Sequence, residues 1–338
     1  MKRSAISVVL IAAFACAASA AKADDCAAPK LENTVPMEAI GDSGEVAVPI
    51  TLNGVTQKFL FDTGGGTMNY ILPSLSRKLG MFRTDNFVAL DVAGHDSYTV
   101  AGARHVVFGA LTAKGVVMFQ EVADLTHDGI LSAGTMANDD LDMDFGAMRL
   151  NFFAADHCPG NVVYWPHQAL AEVPINLVAG HFELAVSLDG HALNAVIDTG
   201  SPWTILNIAW AQKYLAFSPG AGAPGAPKDD PDQQIYFRKY AALAFPGITV
   251  ANPLVVVRPL QFGDNPDVRA PDLIIGMEVL RHLHLYYAAN EKKLYITPAS
   301  SGPSPLPASA APSSASHAWP QDDWSSYSRV WDPIHRPH

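Results

Sequence analysis

Charge is scarce in this chain, and basic charge is scarcer. Only 16% of its 338 residues are charged, with 22 Lys and Arg against 33 Asp and Glu, for a formal net charge of −11. Tracking phosphates needs clustered cations, so nucleic acid is excluded as the expected partner. Cysteine is almost missing: Cys16, Cys26 and Cys158 are the three. No stretch beyond the first 23 residues is long and apolar enough to span a membrane. Gly64-Gly65-Gly66 follows an apolar run but lacks the lysine of a phosphate-binding loop.

The amino terminus reads as a targeting segment over Met1–Ala23. Lys2 and Arg3 open it, Ile6–Ala18 is its apolar centre, and small residues offer cleavage after Ala20 or Ala23. Export to the periplasm or beyond is the expectation. Loss of Lys2 and Arg3 takes the formal charge from −11 to −13. Cys26 and Cys158 remain, and an exported chain with an even count predicts one disulfide between them.

What the chain does have is one pattern written twice. Phe59-Leu60-Phe61 runs into Asp62-Thr63-Gly64, and Ala195-Val196-Ile197 runs into Asp198-Thr199-Gly200-Ser201. Each is preceded by an alternating stretch and a turn, at Asn53-Gly54 and Asp189-Gly190, which reads as a hairpin. Each is followed by a helix-like stretch, Leu72–Leu79 and Ile208–Leu215. Each has a later apolar pair, Ile130-Leu131 before Ser132 and Ile274-Ile275 before Gly276. Each closes on one more strand, Met148–Phe153 and Lys293–Thr297. A duplicated unit is therefore predicted. Short, frequent strand signals predict mainly-β structure.

These motifs resemble the aspartic proteases of the pepsin and retropepsin type, over roughly Val46–Phe153 and Phe182–Pro298. The resemblance implies a mainly-β, two-lobed acid-protease fold with an active-site cleft between the lobes. It implies an aspartic endopeptidase in which Asp62 and Asp198 share one proton and activate a water. Thr63 and Thr199 would bond across into the opposite loop, Gly64 and Gly200 would let the loops approach, and Ser201 would donate to the outer oxygen of Asp198. Ile130, Leu131, Ile274, Ile275 and Gly276 would wall the site. A hairpin over Asn86–Val107, turning at Gly94-His95-Asp96, would be a flap, with Tyr98 as its tyrosine. Two positions depart from the pattern. Gly65 stands where the family carries Ser, Thr or Ala, with Thr67 as the candidate substitute hydroxyl, and Ser132 stands where it carries Gly. The departures motivate an alternative: a pepsin-fold peptide- or protein-binding module with little or no catalysis.

The expected layout is a first lobe over residues 34–155, a linker over 156–172 and a second lobe over 173–298. The remainder, 299–338, is a Ser/Pro/Ala-rich disordered tail ending in Trp319, Trp324 and Trp331. Ser218–Asp232 reads as a surface insertion. Trp203 reads as core rather than substrate contact. His282 and His284 would share a strand face but have no third ligand at metal spacing, so they read as surface or packed histidines. No metal or other cofactor is expected. The expected partner is a peptide or unfolded protein lying extended in the cleft. The short linker favours pairing of the two copies within one chain, hence a monomer.

Overall fold

A computed structural model describes residues 27–90, 96–220, 222–260 and 270–300, with only the backbone for 85–90 and 96–98. The expected leader, Cys26, residues 91–95 with the expected turn positions Gly94 and His95, and residues 301–338 with the three tryptophans lie outside the described residues, as does the side chain of Tyr98.

The described residues are mainly strand, arranged in three sheets. The first runs Phe82–Leu90, Asp96–Ala103, Val117–Glu121, Asn69–Ile71, Gly129–Ser132, Val55–Asp62, Val46–Leu52, Val106–Phe108 and Leu111–Thr112. The second runs Tyr236–Lys239, Leu254–Arg258, Thr204–Asn207, Leu273–Ile275, His191–Ile197, His181–Leu188, Ala242–Phe245 and Ile248–Ala251. From Asp96–Ala103 onward the two orders match strand for strand. Even the short additions agree: Glu38–Ala39 pairs with Val46–Leu52, and Asn176–Val178 pairs with His181–Leu188. The duplicated sequence thus folds as a duplicated sheet, with Phe82–Leu90 as an extra strand on the first copy.

Local chemistry explains the elements. Val55–Asp62 and His191–Ile197 begin exposed and end in three buried apolar residues, so each drives its aspartate towards the interior. The preceding turns take positive φ at Asn53 and Gly54 and at Asp189 and Gly190, which suits the twist of a tight hairpin. The predicted helices form at Pro73–Lys78, with proline in the first turn, and at Ile208–Leu215. The Asn207 side chain accepts from the Ala209 N–H at 3.1 Å and caps the second. The predicted hairpin at Asn86–Val107 is displaced. Its strands are Phe82–Leu90 and Asp96–Ala103, while Val106–Phe108 leaves to pair with Val46–Leu52.

The third sheet is built from both copies: Leu31–Pro36, Arg149–Phe153, Asp140–Asp144, Leu283–Ala288, Lys293–Pro298 and Ala171–Pro174. Its middle seam, Leu141 to Tyr287 and Met143 to Leu285, joins the first half of the chain to the second. Leu141 and Met143 face the main core, which is continuous across both copies. The opposite face carries Phe153, Tyr286 and Tyr295 under Val162 and Trp165. The stretch expected to be a mere linker therefore covers one face of this sheet. Among the described residues, no helix is long and apolar enough to cross a membrane.

Candidate active site

Each copy ends two parallel strands side by side. In the first, Leu60, Phe61 and Asp62 align with Ile130, Leu131 and Ser132. In the second, Ala195, Val196 and Ile197 align with Leu273, Ile274 and Ile275. Leu131 and Ile275 are fully buried, while Ile130 and Ile274 are half-buried. The apolar pairs thus flank the two aspartate loops, and Gly276 is buried at the end of the second pair.

The two loops meet across a local two-fold. The Thr63 N–H donates to Thr199 Oγ1 at 3.0 Å, and the Thr199 N–H donates to Thr63 Oγ1 at 3.0 Å. Each hydroxyl then donates onward into the opposite copy: Thr63 to the Ile197 carbonyl at 2.8 Å, Thr199 to the Phe61 carbonyl at 2.6 Å. Both threonines are wholly buried. A hydroxyl both accepts and donates, so one side chain satisfies two backbone groups that would otherwise be orphaned.

This clasp brings the carboxyl groups of Asp62 and Asp198 within hydrogen-bonding reach of one another. Each also accepts from the glycine two residues on, Asp62 from Gly64 at 2.7 Å and Asp198 from Gly200 at 2.9 Å. The glycines are required by space. A Cβ on Gly64 would lie 2.5 Å from Asp198 Cγ, and one on Gly200 would lie 2.6 Å from Asp62 Cγ.

Burial raises both carboxyls above the ordinary range, and the two are not equal. Asp198 is pushed up furthest, first by desolvation and then by the negative charge and hydrogen bond of Asp62. Asp62 is raised by desolvation but held back by its bond to Asp198, the Gly64 N–H and the positive field of His181. Two like charges this close cannot both form cheaply, so the pair favours one shared proton, with Asp198 the more strongly raised member.

The hydroxyls near the pair differ from expectation. Ser201 does not donate to Asp198 through its side chain. Its Oγ donates to the Trp203 carbonyl at 2.8 Å, and its N–H faces Asp198 instead. Thr67 is exposed and does not replace the hydroxyl missing at Gly65. Trp203 is half-buried, edge-on to Phe237 with ring centroids 5.5 Å apart. Cys158 lies where its N–H donates to the Ala27 carbonyl at 2.8 Å.

Two features were not read from the sequence. His181, buried at the start of its strand, lies beside Gly66, and its Nδ1 is 3.2 Å from the Val178 carbonyl. A lone histidine next to a hairpin carries no spacing signal. The second feature is the alternation Asp140-Leu141-Asp142-Met143-Asp144, whose three aspartates are wholly buried. Asp142 pairs with His284 Nε2 and accepts from Tyr164 and Asn151. Asp140 pairs with His157 Nε2 at 2.5 Å and accepts from Tyr286 at 2.9 Å. His284 stacks on Trp165 at 3.8 Å between centroids. His284 is thus a packed histidine of the joining sheet, far more buried than a strand-face pair suggested, while His282 is exposed.

No protein-family model and no curated protein matches the chain.

Proposed function

We propose that this chain is an exported aspartic endopeptidase with a two-lobed, pepsin/retropepsin-like fold. The observation that carries the reading is the Asp62–Asp198 pair, two half-buried side chains clasped by reciprocal Thr63 and Thr199 bonds, with both carboxyls raised by desolvation.

Amide hydrolysis needs a base for the attacking water and an acid for the carbonyl oxygen and leaving nitrogen. Asp62, the member held lower, takes the proton from water. Asp198, the protonated member, donates to the carbonyl oxygen to give a diol. Asp62 then passes its proton to the nitrogen and Asp198 takes one back from a diol hydroxyl as the C–N bond breaks, leaving acid and amine. The roles follow from the unequal surroundings of the two carboxyls. The substrate is a peptide or unfolded segment lying extended between the lobes, under the hairpin of Phe82–Leu90 and Asp96–Ala103. Both aspartates come from one chain, which supports a monomeric enzyme. A Cys26–Cys158 disulfide ties the start of the first lobe to its exit.

The test is cleavage of an unfolded protein across pH 3–7 by wild type, Asp62→Asn and Asp198→Asn. A transition-state-mimicking aspartic protease inhibitor serves as control. The expected result is activity in the wild type alone, with a loss of at least about a thousandfold in either variant and inhibition by the mimic. Silence of the wild type on several substrates would replace this reading with a peptide-binding module.

A further inference from the structure

The two departures from the duplicated pattern, Gly65 and Ser132, touch each other. A Cβ built on Gly65 would overlap Ser132 Oγ, lie 3.1 Å from Ser132 Cβ, and lie 3.2 Å from Asp62 Oδ2. The Ser132 hydroxyl therefore takes the space in which a side chain at 65 would begin, and that starting point is 3.2 Å from Asp62 Oδ2.

The second copy has the reverse arrangement. There the loop residue is Ser201, whose hydroxyl donates to the Trp203 carbonyl at 2.8 Å. The strand-end residue is Gly276, where a Cβ would overlap the Trp203 carbonyl oxygen and lie 2.7 Å from the Ser201 carbonyl oxygen. Each loop thus has one hydroxyl at its base and one glycine facing it, in opposite order.

Ser132 is built into its place. It is fully buried and lies directly across from Asp62 in the parallel register. Its N–H donates to Asn69 Oδ1 at 3.0 Å. Its hydroxyl reaches the Gly65 carbonyl at 3.1 Å and the Met68 carbonyl, the two ends of the glycine turn. Tyr70 OH supports the same Gly65 carbonyl at 3.1 Å. A turn with no side chain at 64, 65 or 66 has little else to hold its shape.

We propose that Ser132 is the positioning residue for Asp62: the loop hydroxyl has moved from position 65 to the strand end, and Gly65 and Ser132 form one compensated exchange. Ser132 acts through the loop carbonyls, fixing the turn that aims Asp62. Its one O–H proton and that of Tyr70 together keep the Met68 and Gly65 carbonyl oxygens paired. Unpaired, the carbonyl dipoles of the loop that follows Asp62 would be free to turn towards its carboxylate and disfavour the charged form.

This inference rests on the endopeptidase reading for its kinetic arm, and a folding arm is independent of it. Ser132→Ala keeps the Cβ and removes the hydroxyl. The expected result is a kcat lower by about tenfold with KM little changed, and an acid limb shifted to higher pH. Gly65→Ser alone collides with Ser132. Gly65→Ser with Ser132→Gly rebuilds the order of the second copy and should return kcat to within about threefold of wild type. The same set is measured by urea unfolding, where the double variant should regain the midpoint that Gly65→Ser loses. If wild type cleaves nothing, the endopeptidase reading fails, and the unfolding cycle still decides whether the exchange exists. A double variant no better than Gly65→Ser in the unfolding cycle overturns the exchange. A regained midpoint with unchanged kcat and acid limb in Ser132→Ala leaves Ser132 a space-filler and overturns the positioning role.

Discussion

Asp62 and Asp198 share the Asp-Thr-Gly motif in sequence and have unequal surroundings in the fold. Folding raises the Asp198 carboxyl well above its ordinary value of 3.8, so the folded chain holds its proton more tightly than the unfolded one. A carboxyl raised by folding contributes its stability below that value and loses it as pH rises through the folded one. Asp198→Asn removes this titration. Its thermal midpoint at pH 7 should exceed that of wild type, and the difference should close towards pH 3. A variant less stable than wild type at pH 7 would contradict a desolvated pair. His181 acts on the same site with the opposite sign. Its positive field lowers the Asp62 carboxyl, so His181→Gln should move the acid limb of kcat/KM to higher pH. An unmoved limb would mean that His181 does not act on the pair. The aspartates were legible from the sequence because the motif repeats in repeated surroundings. His181 was not, because a residue brought in by an Ala179–Gly180 turn from the other copy leaves no local mark.

The joining sheet shows what alternation conveys and what it leaves open. Asp140, Asp142 and Asp144 alternate with Leu141 and Met143, which gives the strand one polar and one apolar face. The pattern is that of a strand with one wet side. Here the polar side is covered by His157, Tyr164, Trp165, His284 and Tyr286, contributed by the connecting segment and the second copy. The hydroxyls of Tyr164 and Tyr286 are pushed up by burial first and by the aspartates next, so both donate as neutral phenols. Removing one partner of a buried hydrogen bond leaves the other unsatisfied, at about 1–3 kcal/mol, and removing the ring stacked on Trp165 adds the cost of a cavity. His284→Ala should lower the unfolding free energy by at least about 2 kcal/mol in urea titration. A loss under about 1 kcal/mol would show that the His284 contacts do not hold this face together.

At the scale of the whole molecule, two hydrogen-bonded junctions between the copies are the threonine clasp and the sheet seam at Leu141–Tyr287. Both junctions lie within one chain, so the site should form without a second molecule. Light scattering should give the mass of one chain. Mixing Asp62→Asn with Asp198→Asn should restore no cleavage, whereas a site shared between two chains would recover part of it. The strand content, the duplication, both hairpin turns and both aspartate loops were determined by local sequence. Each depends on a short-range pattern: alternation, a turn dipeptide, or an apolar run ending in Asp-Thr-Gly. Which hydroxyl faces which glycine, which carboxyl is raised further, and what covers the Asp140–Asp144 face depend on atoms many residues apart. Ser132 meets Gly65 across 67 positions, and Thr63 meets Thr199 across 136. Only the tertiary structure decided these, because contact distance, burial and charge pairing are properties of surfaces brought together by folding.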